Sequence, residues 1–127
     1  MKQVVNVGLL GLGTVGGGVY KVLKDRDDIE IVKIAVKDKN LVQEIDGLDT
    51  NLLTEDAKII VNNPDIDIII EVIGGTGAAY EFIKMALERG KHVVTANKEL
   101  LAKCGEELFQ FAKEHNKVIL YEGGSKC

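Results

Sequence analysis

Cysteine is scarce in this chain and badly placed for chemistry. Two occur in 127 residues, Cys104 and the terminal Cys127. No CxxC pair or metal-ligand spacing connects them, so neither a disulfide framework nor a metal site is expected. A long apolar run is also missing, because no stretch approaches the ~20 residues needed to span a bilayer. Met1-Lys2 followed by Val4, Val5, Val7, Leu9 and Leu10 has the outline of a signal peptide. Asn6 and Gly8 break that run, and it leads into glycines rather than a cleavage site, so a cytoplasmic protein with no membrane partner is expected. Excess positive charge is lacking as well: 16 basic residues face 20 acidic ones, for a net charge of −4, with no basic stripe. Nucleic acid is therefore not an expected partner. There are no internal repeats, and the length leaves no room for a second domain.

What is present is enough for one core, since 46% of residues are apolar. Apolar runs of strand length alternate with segments of helical period, the pattern of βα units around a parallel sheet. Strands are expected at Val4 to Leu10, Ile29 to Val36, Ile66 to Ile73, Lys91 to Thr95 and Val118 to Tyr121. Helices are expected from Thr14 to Lys24, with Val15, Val19, Val22 and Leu23 on its apolar face, from Thr54 as N-cap to just before Asn63-Pro64, from after Gly77 to Arg89, and from Asn97 as cap to His115. Asp38 to Asn51 reads as one short helix and a turn at Asp46-Gly47. The architecture this implies is α/β, a Rossmann-type doubly wound parallel sheet of about five strands in the order 3-2-1-4-5. Residues 1–122 form that domain. Gly123-Gly124-Ser125-Lys126-Cys127 reads as a flexible linker-like tail with a reactive handle, either native or added to the natural chain. Cys104 falls on the apolar face of the last helix and reads as a small buried hydrophobe.

The chemistry is concentrated near the start. Gly11-Leu12-Gly13-Thr14-Val15-Gly16 directly follows a strand and opens an amphipathic helix, so its amides point at a bound phosphate at the positive helix end. Gly11 permits the tight turn, Gly13 lets the backbone approach a pyrophosphate, and Gly16 lets helix and strand pack closely. A nicotinamide dinucleotide is the expected ligand, and no Gly-Lys-Ser/Thr follows to make a P-loop. Gly17 and Gly18 each cost a helix roughly 1 kcal/mol relative to alanine, which implies some compensating close contact. Where NAD-specific folds place an acidic residue at the end of strand 2, this sequence has Val36 and Lys37, with Asp38 slightly late. A lysine there suits a 2′-phosphate, so NADP or NAD is the expected cofactor; the other reading is a solvated strand-end lysine.

Gly74, Gly75 and Gly77 follow the third strand on the cleft side, either as simple turn residues or to let the backbone approach the cofactor. Glu71 is a carboxylate in an apolar strand and needs partners, structural or ligand. Thr95-Ala96-Asn97-Lys98 ends the fourth strand, with Thr95 and Asn97 as further cofactor contacts. Lys98 lies in the first turn of a helix, where the macrodipole disfavours a cation, so it is either a surface lysine or a group that binds an anion or moves a proton. His92 and His115 read as structural.

These residues resemble the N-terminal nucleotide-binding domain of homoserine dehydrogenase. The likeness rests on Gly8 to Val19, on Glu71-Val72-Ile73-Gly74-Gly75, and on Gly90 to Lys98, and it covers nearly the whole chain. The resemblance implies NAD(P)-linked interconversion of L-aspartate 4-semialdehyde and L-homoserine, on the route to threonine, isoleucine and methionine. It implies that Gly13, Thr14 and Val15 contact the dinucleotide phosphates. It also implies that Lys98 lies beside the nicotinamide ribose and the substrate, in proton transfer. After a pair like Tyr121-Glu122 the family continues into Ala-Ser-Val and a substrate-binding, dimerising domain that carries the second catalytic lysine. Gly123 to Cys127 stands in that place here, so this chain is expected to bind cofactor without turnover, the small-molecule substrate needing the other domain of a homo-oligomeric enzyme. Two other readings stay open: the front half of an aspartate dehydrogenase-like enzyme, and a non-catalytic dinucleotide sensor.

Overall fold

A computed structural model describes residues 3–42, 45–74, 76–121 and 124–126. Seven strands form one sheet: β1 (Val5–Leu10), β2 (Ile29–Ala35), β3 (Leu53–Thr54), β4 (Ile68–Glu71), β5 (His92–Thr95), β6 (Ile119–Tyr121) and β7 (Gly124–Lys126). Among the described residues four α-helices accompany them: α1 (Thr14–Leu23), α2 (Ala57–Val61), α3 (Gly77–Glu88) and α4 (Lys98–Glu114). The sheet order is β3-β2-β1-β4-β5-β6-β7, with every pair parallel except β6 and β7. The order 3-2-1-4-5 is thus present, but the outer third strand is Leu53–Thr54, two residues long and too short to leave a period-2 signal in the sequence. The run around Ile66 to Ile73 is β4, and it pairs directly with β1.

Both faces of this sheet are covered, which is why its strands read as nearly unbroken apolar runs. Alternation along each strand divides the core. Val7 and Leu9 of β1 pack with Ile34, Ile70 and Tyr20 under α1, while Leu10 and Ile69 turn to the other face against Ile60, Ile83, Leu87, Leu100 and Leu108 of α2, α3 and α4. Cys104 packs against this second cluster from its apolar helical face, but partly rather than fully buried. His92 accepts the Val118 amide at Nδ1, and His115 stacks on Phe111 at the end of α4, both structural. Among the described residues no helix is long and apolar enough to cross a membrane.

Four local expectations change. The face of α1 that meets the sheet carries Gly16, Gly17 and Tyr20 beside Val19 and Leu23 of the expected stripe, which pack there partly buried; Val15 and Val22 are 55% and 68% exposed. The glycines let the helix backbone approach the strands, and Val15 and Val22 are turned outward. Tyr20 fills the remaining space, its hydroxyl donating to the Gly47 carbonyl and accepting the Asp49 amide. Second, α2 is capped by Asp56, whose carboxylate accepts the Lys58 amide, because Thr54 is already committed to β3. Third, the described residues of the 38–52 segment hold two short 3-10 turns, Lys39–Leu41 and Thr50–Leu52, instead of one short helix, while the turn at Asp46-Gly47 is present as expected. Fourth, residues 124–126 of the expected tail lie antiparallel to β6, whose outer edge offers unpaired backbone groups; Gly123 and Cys127 lie outside the described residues. Asn97 caps α4 as expected, and that helix runs unbroken through Gly105.

Candidate functional site

The carboxyl ends of the strands lie in one register. Thr54, Ala35, Leu10, Glu71, Thr95 and Tyr121 stand opposite one another in turn across β3, β2, β1, β4, β5 and β6. The glycine turn leaves this row after Leu10, the Ile73-Gly74 turn after Glu71, and the Ala96-Asn97-Lys98 segment after Thr95. Two strand spacings, about 10 Å, separate the first from the last, the scale of a dinucleotide's central bonds.

The glycine turn is built by removing side chains. Gly11 has φ +107, and a Cβ there would lie 2.9 Å from the Val72 carbonyl oxygen. A Cβ on Gly16 would lie 2.4 Å from the Gly11 carbonyl oxygen, so helix and turn touch backbone to backbone. Gly13 differs, for a Cβ there meets nothing within 4 Å. Gly13 is also the N-cap of α1, and no side chain caps that helix. Space and helix amides therefore coincide at Gly13, Thr14 and Val15, the arrangement an anion needs. Gly17 is compensated by its buried contact with the sheet face, whereas Gly18 has open space around it, and nothing in the structure explains its choice.

Two cavities flank this turn. One of about 670 Å³ is lined by Gly13, Thr14, Val36, Lys37 and Asp38, among others. The second, about 560 Å³, lies between Gly11, Ala35, Lys58, Val72, Ile73 and Phe82. Leu12, Val36 and Lys37 line both. These volumes suit a nucleoside-sized ligand. The nearby carboxylates are turned to backbone amides: Asp38 accepts from Asn40, Glu55 from Lys39, and Asp56 from Lys58. Lys37 is exposed at the rim, with Lys58 on the wall of the second cavity. Sequence reasoning missed Lys58 and Phe82 here, because α2 and α3 reach the cavity only through the tertiary fold; Leu12, inside the glycine motif, was given no role of its own.

The other half of the edge is made of buried polar groups. Glu71 is fully buried. Its Oε1 accepts the Thr95 hydroxyl at 2.6 Å, and its Oε2 accepts the Ile73 amide at 2.9 Å and, more weakly, the Gly74 amide at 3.4 Å. Thr95 Oγ1 in turn accepts the Asn97 amide at 3.0 Å, and Asn97 Oδ1 accepts the Leu100 amide at 3.0 Å. Thr95 and Asn97 are thereby placed behind the edge as supports, while Lys98, the first residue of α4, is exposed on it. Gly74 is exposed and left-handed, with φ +84. Gly75 lies outside the described residues.

Comparison with known proteins agrees with this geometry. Residues 11–122 match the homoserine dehydrogenase NAD-binding domain. The chain belongs to that family. Members of this NAD-binding family take a nicotinamide dinucleotide. The chain is 42% identical to the homoserine dehydrogenase of Bacillus subtilis, over 94% of this chain and 30% of that protein. It is 45% identical to the enzyme of Methylobacillus glycogenes, over 77% of this chain and 26% of that protein. A crystal structure of S. aureus homoserine dehydrogenase at pH 8.5 superposes with a TM-score of 0.88 at 37% identity, covering 96% of this chain and 33% of that one. The chain thus spans about 30% of the length of the curated relatives it matches.

Proposed function

We propose that the chain binds NAD or NADP along the carboxyl edge of its sheet and forms the cofactor half of an active site that interconverts L-aspartate 4-semialdehyde and L-homoserine. The observation that carries this reading is the coincidence at Gly13 of methyl-sized open space with a helix that no side chain caps. Gly13, Thr14 and Val15 hold the pyrophosphate, with Gly11 and Gly16 fixing the turn that presents their amides. Val36 and Lys37 bound the adenosine side, and Gly74, Gly75 and Lys98 bound the nicotinamide side, with Thr95 and Asn97 supporting Lys98 from behind. When bound, the dinucleotide supplies or accepts the hydride at the aldehyde carbon. Lys98 manages the proton on the substrate oxygen, together with a group from a substrate domain of a homo-oligomeric enzyme. Residues 1–122 are the cofactor-binding unit in this proposal. The chain alone is expected to bind dinucleotide and to give no homoserine-dependent turnover; a robust rate from it would overturn the division of labour.

NADP is accepted at least as well as NAD because Lys37, with Lys58 on the wall of the adjoining cavity, offers cations where a 2′-phosphate sits. Calorimetric titration of Lys37→Ala tests this: NADP affinity should fall roughly 5- to 10-fold, about 1–1.4 kcal/mol, with NAD affected less. Equal loss for both cofactors, or none, contradicts it.

A further inference from the structure

We propose that Glu71 is a positioning residue that couples the Ile73-Gly74 turn to the Asn97-Lys98 segment, so that the two walls of the nicotinamide side move as one body. The proposal rests on the dinucleotide reading above. A carboxylate in a sheet interior is expensive to bury unless its acceptor capacity is met, and here it is met from two directions. One oxygen takes the amides that begin the glycine-rich turn after β4. The other takes the Thr95 hydroxyl at the end of β5, and that same hydroxyl oxygen receives the Asn97 amide. The Glu71 main chain adds a third tie, since its carbonyl accepts the Ala96 amide at 3.2 Å. The segment it controls on the other side reaches the glycine turn, because the Val72 carbonyl lies against Gly11 and the Val72 side chain against Gly16. One buried side chain therefore stands between the phosphate-binding turn and the helix that begins with Lys98. Neither backbone geometry nor core packing requires an acidic side chain at this point. A requirement for two loops to hold a fixed separation does, because a carboxyl group offers two separate acceptor oxygens, one to each loop.

Glu71→Gln separates these possibilities. With the oxygen toward Ile73 the amide nitrogen points at Thr95 Oγ1, which already accepts the Asn97 amide, and the Thr95 hydroxyl proton loses its acceptor; with the nitrogen toward Ile73 two N–H donors face each other. Amide hydrogen exchange, read by NMR, should show Ile73 and Asn97 both opening at least about tenfold faster, with Ile69 and Leu87 unchanged. In titrations, the NAD dissociation constant should rise about tenfold, while ADP, which carries only the adenosine and pyrophosphate, should bind within about twofold of the parent. Thr95→Val should reproduce both effects if Glu71→Gln does not fold, and Thr95→Ser should restore the protection of both amides. Acceleration of only one of the two amides overturns the coupling. Equal weakening of NAD and ADP overturns it as well, since a general loss of structure predicts that. If the parent chain binds neither NAD nor ADP, the dinucleotide reading fails, and the paired amides still decide the coupling.

Discussion

The two halves of the carboxyl edge are built by opposite means. On the β1 side the site is made by omission: Gly11, Gly13 and Gly16 supply backbone and no side chain, and the surrounding lysines are exposed. On the β4–β5 side it is made by insertion, with Glu71, Thr95 and Asn97 buried and linked by hydrogen bonds. In the proposed binding mode, the difference follows from the ligand's two ends. A pyrophosphate needs close approach to amides that a helix terminus already orients, and any side chain is in the way. In that mode a nicotinamide beside Lys98 needs loops held at a set distance, and that requires side chains that reach between strands.

This contrast makes the glycines unequal, and the largest expected effect is at Gly16. Gly16→Ala places a methyl 2.4 Å from the Gly11 carbonyl oxygen, where neither backbone can yield cheaply. A loss of roughly 1–3 kcal/mol in chemical denaturation is expected, and a change below about 0.5 kcal/mol would show that the turn is not packed as described. Gly13→Ala should do the reverse. Open space and an extended backbone, φ −77, accept the methyl, so stability should hold or rise by up to about 1 kcal/mol. NAD affinity should nonetheless fall at least about tenfold, because the methyl stands where the phosphate approaches. If Gly13→Ala keeps full affinity, the glycine side is structural only.

How much of this was legible in the sequence divides along the same line. Omission leaves a local mark: GxGxxG after an apolar strand can be read from the order of residues, and so can the cap at Asn97. Insertion does not. Glu71 stands out as an anomaly in an apolar run, but its partner Thr95 is 24 residues away and is found only when β4 and β5 pair in register. The two-residue β3 leaves no periodicity at all, and the exposure of Val15 and Val22 on α1 could not be seen because Gly16 and Gly17 carry no hydrophobicity to mark their share of the buried side.

A smaller effect is expected at the opposite end of β5, where Lys91, 3% exposed, solves the reverse problem from Glu71. Its ammonium donates to the carbonyls of Asn63 and Ile66 at 2.5 and 2.9 Å. Burial pushes its pKa below the ordinary lysine value of 10.5, with Asp67 and Asp65 opposing. In the window between the lowered folded value and 10.5, the unfolded chain binds more protons than the folded one, so this residue adds stability as pH rises and loses it as pH falls. The difference in unfolding free energy between the parent and Lys91→Met should therefore grow in the parent's favour through the alkaline range; a difference flat with pH would contradict the assignment.

The central claim is that one dinucleotide touches both halves of the edge. It is tested most directly by titrating NAD into the ¹⁵N-labelled chain and following amide shifts by NMR. Gly13, Thr14 and Val15 on one side, and Ile73, Gly74 and Lys98 on the other, should shift together and fit a single dissociation constant. Shifts confined to one side, or spread over residues away from the carboxyl edge, would contradict it.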